Sequence, residues 1–373
     1  YVADGCGPVY GVNSISELAN QVGFGNTPTT VTREADKEPD DTDQFGIAMR
    51  WFLPELNETE LGLYFIQYHS RTPLVSGVTA IDANGDGTVS TVEAFNPATG
   101  AKYFVEYPEQ IKLYGISFNT SAAGISIAGE YSYKQDAPVQ LNSPDLIAGA
   151  TGNVYSPIFQ DRVDASSGQF ATTADAQAQG FLGSAQSGYD LFDISQLQFT
   201  GIAFFDQILG ASRLAMVGEI GATYVHGLPN EDQIRYGRFD QLSFGQLPDV
   251  QGPGSGAATC AGLSGASPQQ CNDYGYVTDF SYGYRMRAGL TYNDVFAGVN
   301  LTPTLSWSHD LDGYAPGPGA NFIEGRRSVG LSLNADYLNK YTAKVAYTSY
   351  FGNKLNNPLH DRDNMSLSVS YSF

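Results

Sequence analysis

The last ten residues, Asn364-Met-Ser-Leu-Ser-Val-Ser-Tyr-Ser-Phe373, restrict the fold more than any other stretch. Met365, Leu367, Val369, Tyr371 and Phe373 alternate without a break with Ser366, Ser368, Ser370 and Ser372. A period of two puts the apolar side chains on one face of a strand and the serines on the other. A soluble sheet would turn the apolar face inward. An aromatic at the last position with Tyr two before it also fits the closing strand of an outer-membrane barrel, apolar side to lipid and serine side to the lumen. Whether the pattern repeats decides between the two.

It repeats in pairs. Phe45–Leu53 turns into Glu60–His69, Gln110–Asn119 into Ile125–Lys134, and Asp193–Gln207 into Arg213–His226. Tyr276–Tyr292 turns at Asn293-Asp294 into Val299–Asp310, and Arg327–Leu338 into Tyr341–Phe351, before the final strand. Connections after Leu53, Asn119, Gln207, Tyr292 and Leu338 are short, whereas those at about 70–109, 135–192, 227–275, 311–326 and 352–363 are long. Strict alternation of short and long is the sidedness of an outer-membrane barrel, and a soluble sandwich has none. The pattern predicts an all-β antiparallel transmembrane barrel of about eleven strands over 45–373, after an extracellular loop segment at 1–44. An odd count whose first strand descends predicts further N-terminal barrel sequence, unless one strand lies unread within 1–44.

Composition agrees. The chain of 373 residues carries 24 Tyr, 21 Phe and 42 Gly against 19 Lys plus Arg, a mixture suited to strands with interfacial aromatics. No apolar run approaches the roughly 18 residues a spanning helix needs. A net charge of −20 excludes nucleic acid as a partner and fits acidic loops above a membrane. Residues 1–6 have neither the basic nor the apolar region of a signal peptide. Of three cysteines, Cys260 and Cys271 bracket a small-residue loop and are expected to form a local disulfide, leaving Cys6 over.

Several stretches resemble one family in order along the chain. They are Gln44-Phe-Gly-Ile-Ala-Met-Arg50, Leu63-Tyr-Phe-Ile-Gln-Tyr-His-Ser-Arg71-Thr-Pro73, Gly129-Glu-Tyr-Ser-Tyr and Asp136-Ala-Pro-Val-Gln. Pro303-Thr-Leu-Ser-Trp-Ser-His-Asp310, Phe322-Ile-Glu-Gly325, Tyr347-Thr-Ser-Tyr-Phe-Gly352 and Asp361-Arg-Asp363 complete the series. Over about residues 44–373 the chain is similar to the Gram-negative outer-membrane family catalogued as domain of unknown function 1302. The resemblance implies an outer-membrane barrel in contact with lipid and lipopolysaccharide. Members of that family are longer, with a signal peptide and extra N-terminal sequence. Their gene neighbourhoods imply a periplasmic lipoprotein partner (domain of unknown function 1329) and a resistance-nodulation-division type transporter, hence traffic in hydrophobic small molecules. No catalytic residues come with the resemblance.

Two constellations carry chemistry. Asp82-Ala-Asn84-Gly-Asp86-Gly87-Thr88-Val-Ser90-Thr-Val-Glu93 fits the twelve-residue EF-hand loop at every diagnostic position. Asp82, Asn84 and Asp86 would give side-chain oxygens to Ca²⁺, Thr88 its carbonyl, Ser90 a direct or water-mediated oxygen, and Glu93 both carboxylate oxygens. An Asp/Asn/Gly-rich hairpin tip is the competing reading. The alternation also places Arg50, Glu130, Lys134, Glu219, Arg285, Arg287, Asp336 and Lys344 on the lumen side, either as a selective constriction or paired with one another or with a plug. Trp51, Tyr68, Tyr133, Tyr224, Tyr292, Trp307, Tyr337, Tyr341 and Tyr371 read as interface girdles.

The sequence reads as a non-enzyme. His69, His226, His309 and His360 lack zinc-protease spacing, and in Ser308-His309-Asp310 neighbours on a strand face opposite sides. A barrel enzyme acting on lipid would need a Ser–His hydrogen bond at lipid level. Transport of hydrophobic or lipid-like compounds is the leading expectation, with a plugged docking barrel or a selective passive pore as alternatives.

Overall fold

The computed structural model describes residues 31–166, 170–238, 247, 249, 253–256, 274–317, 319–354 and 356–373. In chain order come β1 (Thr32–Arg33), β2 (Phe45–Leu53), β3 (Thr59–Tyr68) and β4 (Leu74–Val78). A one-turn helix α1 (Thr91–Ala94) leads to β5 (Lys102–Glu106), β6 (Ile111–Ala122) and β7 (Ile125–Gln140). Helices α2 (Ser143–Ala150), α3 (Pro157–Arg162) and α4 (Thr173–Ala178) precede β8 (Ala185–Gln186), β9 (Tyr189–Asp206) and β10 (Arg213–His226). Then follow β11 (Phe280–Phe296), β12 (Val299–Asp312), β13 (Arg327–Tyr337), β14 (Tyr341–Phe351) and β15 (Asn364–Tyr371).

Eleven of these strands form one antiparallel sheet in the order β15-β14-β13-β12-β11-β10-β9-β7-β6-β3-β2. They are the eleven expected from alternation, and the fold is an antiparallel barrel sheet of the outer-membrane type. Short turns hold their tight geometry with positive φ: Ala123 (49°) with Gly124 (78°), and Leu338 with Asn339 (55° each). The turn expected at Asn293-Asp294 lies four residues later, at Ala297-Gly298, because β11 continues through a bulge between Tyr292 and Phe296. Among the described residues β2 pairs only with β3, and β15 only with β14.

Register makes one face of the sheet apolar. Ile47 stands opposite Phe65, Phe65 opposite Tyr114, and Tyr114 opposite Tyr133. Across the other half Met286 pairs with Trp307, Leu305 with Leu331, Leu331 with Tyr347, and Tyr347 with Met365. These side chains are bare of protein: Ile47 is 62% and Leu367 75% exposed. An apolar band this continuous suits hydrocarbon. The band is rimmed by aromatics. At the long-loop end, Phe45, Phe65, Tyr114, Tyr133, His226 and Tyr224 follow one another at centroid spacings between 4.7 and 6.4 Å. At the short-turn end Tyr337, Tyr341, Tyr371 and Phe373 do the same. Tyr68 departs from the girdle expected of it, since its partner Ile111 lies on the inner face.

The long loops are not featureless. Residues expected as loop at 1–44 and 70–109 supply β1, β4 and β5, which with β8 form a four-stranded side sheet in which β1 and β5 are parallel. Residues 1–30 lie outside the described region. The segment at 135–192 continues β7 to Gln140 and adds three helices. The deepest burial sits in the cap these long loops form, whose main core joins Val139, Leu141, Leu146, Ile158, Ile234, Tyr236 and Val277 to Ile194 and Val225. Ile194 and Val225 are positions of β9 and β10 on the face opposite the apolar band, so the cap packs onto that inner face.

The two faces are expected to tolerate charge differently. Leu331→Arg, mid-strand on the apolar face, should destabilise the folded protein by about 2–4 kcal/mol, whereas Ser332→Arg on the other face should be near neutral. Reversible unfolding from lipid vesicles measures both.

Candidate functional site

Register puts all eight charges singled out above on the inner face. Glu130 faces Gln198 across the β7–β9 ladder, Glu219 faces Arg285, and Arg287 faces Val217. Lys134 faces Ile194, Asn334 faces Lys344, and Asp336 faces Thr342. Arg50, at the other margin, has Nε 4.0 Å from Glu60 Oε1. The eight do not form one ring. The structure gathers Glu130, Glu219 and Arg285 and leaves the others along the wall.

These three line a pocket of about 480 Å³ with Ser132, Gln196, Gln198, Thr223, Asn321 and Phe322. Gln198 Nε2 donates to Glu219 Oε2 at 2.8 Å. Arg285 reaches Glu219 Oε1 at 3.9 Å and Asp310 Oδ1 at 4.0 Å, and donates to the Asn321 carbonyl at 3.3 Å. Both members of the Arg285–Glu219 pair are well solvated, so it orients side chains more than it stabilises the fold.

Phe322 roofs this pocket, and glycine makes room for it. A Cβ at Gly221 would come within 3.2 Å of the Phe322 ring, and one at Gly283 within 3.1 Å of it and, more tightly, within 2.7 Å of the His309 carbonyl oxygen. Gly221 and Gly283 are cross-strand partners, so the wall carries a notch that the ring fills, leaving Phe322 only 5% exposed. Arg326 locks the segment from behind: Nε donates to buried Asp310 Oδ2 at 2.6 Å, and Nη2 to the Asn321 carbonyl at 2.9 Å. Sequence reasoning missed Asp310, Arg326 and this role of Phe322. The readable signal was a pair of glycines at inner positions of adjacent strands.

A second lock holds the cap. Asp145 on α2 takes two hydrogen bonds from Arg235, at 2.7 and 2.9 Å, and both side chains are 1% exposed. Arg235 stacks on Tyr276 at 5.0 Å, and Arg238 Nη1 donates to the Tyr276 hydroxyl at 2.9 Å. Burial pushes the Tyr276 phenol up to about 12. The pair thereby ties the 135–192 segment to the 227–277 segment over the inner wall.

The Asp82–Glu93 loop folds on itself. Asp82 accepts the N–H groups of Gly85 and Gly87 at 2.8 and 2.9 Å, and Asn84 Oδ1 that of Asp86 at 2.8 Å. Asp86 accepts the Thr88 N–H and hydroxyl, at 2.9 and 2.7 Å. Glu93 accepts from Ala83, Asn84 and Ser90, and Ser90 caps α1. Among the described residues no group of three or more acidic, His or Cys side chains converges as a metal centre. Hydrogen bonds from Thr88 hold the Asp86 carboxyl below its ordinary range, those from Ser90 do the same for Glu93, and those from Ser166 and Thr172 hold Asp175 at about 2.

Ser308 and His309 do face opposite sides: Ser308 Oγ meets Ser328 Oγ at 2.7 Å, and His309 Nε2 meets Arg327 Nε at 3.0 Å. Cys6, Cys260 and Cys271 lie outside the described residues.

The chain belongs to the family described as "Protein of unknown function (DUF1302)", whose model matches residues 1–373. Among solved structures it is similar to the crystal structure of the beta domain of the Bordetella autotransporter Brka. The two share 11% identity and a TM-score of 0.25, over 88% of this chain and 89% of that one. No curated protein matches.

Two outcomes are expected for the cap. Arg235→Met strands a buried carboxylate and should destabilise the cap by about 3–5 kcal/mol, while Arg235→Met with Asp145→Leu should recover most of the loss; hydrogen exchange at α2 reads both. The lowered carboxyls of Asp86, Glu93 and Asp175 stabilise the fold above the ordinary carboxylate range. That contribution is lost as pH falls through their folded values, about 2 for Asp175. Limited proteolysis between neutral and strongly acid pH should therefore open 70–192 before the barrel strands.

Proposed function

Proceeding from that membership, we propose that the chain forms the wall and extracellular cap of an outer-membrane barrel that moves hydrophobic or lipid-like compounds across the envelope. Its partners in this reading are a periplasmic lipoprotein and an inner-membrane transporter of the resistance-nodulation-division type. The observation that supports it is the roofed pocket on the inner wall, where the Phe322 ring lies beside Glu130, Gln198, Glu219 and Arg285. A ring and a fixed set of charges in one pocket suit an amphiphile, with the charges on its headgroup and the ring on its apolar part. The inward-packed cap speaks against a general diffusion porin, which keeps its lumen open to water.

A docking role has its own support. Leu56, Leu209 and Leu338 stand on short turns and are 58%, 76% and 62% exposed. Three bare leucines on the periplasmic rim are the kind of anchors a lipoprotein face would bury. Purification from native outer membrane in mild detergent, with chemical cross-linking, tests both roles. A lipoprotein cross-linked to the short turns is expected, and Leu56→Glu with Leu209→Glu and Leu338→Glu should lose it. A barrel recovered alone, with an open ion-conducting lumen, would overturn the proposal.

Ca²⁺ binding by Asp82, Asn84, Asp86, Thr88, Ser90 and Glu93 is a further part of the proposal. It is supported by the loop already holding its turn through these side chains. To bind, Glu93 must exchange its four hydrogen bonds for the ion, which places the affinity in the weak extracellular range, about 10⁻⁴–10⁻³ M. Added Ca²⁺ should slow hydrogen exchange over 74–106 in the wild type and not in Asp82→Ala with Glu93→Ala. Equal exchange with and without the ion would remove Ca²⁺ from the account.

A further inference from the structure

One hydrogen-bonded pair in the extracellular aromatic girdle serves neither the inner wall nor the cap. Ser195 on β9 and His226 at the end of β10 both face outward, and Ser195 Oγ lies 2.8 Å from His226 Nε2. The Tyr131 hydroxyl lies 3.0 Å from the same Oγ. The imidazole is held between two ring edges, Tyr133 at 5.9 Å and Tyr224 at 4.7 Å, so its orientation is fixed although the side chain is exposed. Asp193 is the direct cross-strand partner of His226, and its carboxylate takes the Tyr133 hydroxyl and the Asp136 N–H, the latter at 3.3 Å.

The height of the pair matters as much as its geometry. Girdle aromatics mark the level of lipid headgroups, and the ester bonds of a membrane amphiphile lie between headgroup and acyl chain at that level. A serine and a histidine within hydrogen-bond reach have the chemistry of a nucleophile and its base, and the Asp193 carboxylate holds the hydroxyl of Tyr133, whose ring packs against the imidazole. On the outer face, away from Arg285 and Phe322, such a pair meets lipid directly.

We propose that Ser195 and His226 form a hydrolytic site for acyl esters of amphiphiles held at the outer membrane interface. Ser195 Oγ attacks the ester carbonyl carbon as its proton passes to His226 Nε2. The tetrahedral intermediate collapses with cleavage of the bond to the alcohol, which leaves with the proton from His226. Water, deprotonated by the same imidazole, then attacks the acyl-serine and releases the carboxylic acid, restoring the Ser195 hydroxyl. The Tyr131 hydroxyl, 3.0 Å from Ser195 Oγ, is placed to orient the attacking hydroxyl. The inference goes beyond the transport reading and needs only the outer face of the sheet to meet lipid.

The test uses the whole chain folded in detergent micelles. The probes are a long-chain fluorophosphonate and the p-nitrophenyl ester of a long-chain fatty acid. Mass spectrometry should find the phosphonyl group on Ser195. His226→Asn should slow labelling and ester cleavage by about 10²–10⁴-fold, the usual contribution of a general base. Tyr131→Phe, which removes only the contact that orients Ser195, should slow cleavage by less than His226→Asn does. Ser195→Ala should abolish both reactions, while Ser308→Ala, on the inner face, should change neither. A heat-modifiability gel confirms that each variant is folded. Equal labelling of wild type and Ser195→Ala, or ester cleavage no faster than in empty micelles, would overturn the proposal.

Discussion

In hydrocarbon there is no water to satisfy a backbone N–H or C=O, so every peptide group at that depth must be paired within the protein. The eleven-stranded ladder answers this requirement, and most of the structure follows from it. Strands that cross must be continuous through that depth, and here tight turns join them into antiparallel pairs. Because neighbours in register share a face, a single choice of which face meets lipid fixes the environment of every side chain in the sheet. One strand slipped by a single residue would put serines into hydrocarbon and leucines into the lumen.

That constraint also separates two kinds of stability in one chain. The sheet owes little to a buried core, since its apolar residues are covered by lipid. The cap has ordinary packed cores around Val139, Phe159 and Ala80, and it is tied together by the Asp145–Arg235 pair. The inner wall is where the two meet. Phe322 in its glycine notch and Arg326 on Asp310 fasten their segment to the wall with one ring and one charge pair.

The alternation of Met365 through Tyr371 with serines carried the fold class, because period-two patterning and barrel architecture are two statements of the same geometry. The boundaries of β2, β10 and β14 were legible to the residue, since turns abut them directly. The side sheet was not legible: β1, β4, β5 and β8 are two to five residues long, and pairings between segments far apart in sequence leave no local period. For the same reason the eight inner charges could be assigned a face but not partners. Arg326 and Asp310 meet through the fold of a loop. The link between Ser195 and His226 depends on the offset of β9 against β10, which alternation alone does not give.

The margins of the sheet, β2 and β15 among the described residues, have a directional consequence. β2 and β15 are both strands that descend toward the short-turn side, so they offer identical polarity at opposite ends of the sheet. A ring joined directly between them would carry one parallel seam among ten antiparallel ladders. A ring that is antiparallel throughout takes an odd number of additional strands, the first rising beside one margin and the last rising beside the other. Whether the seam is parallel or antiparallel is therefore a count modulo two, written into the direction of two strands more than three hundred residues apart.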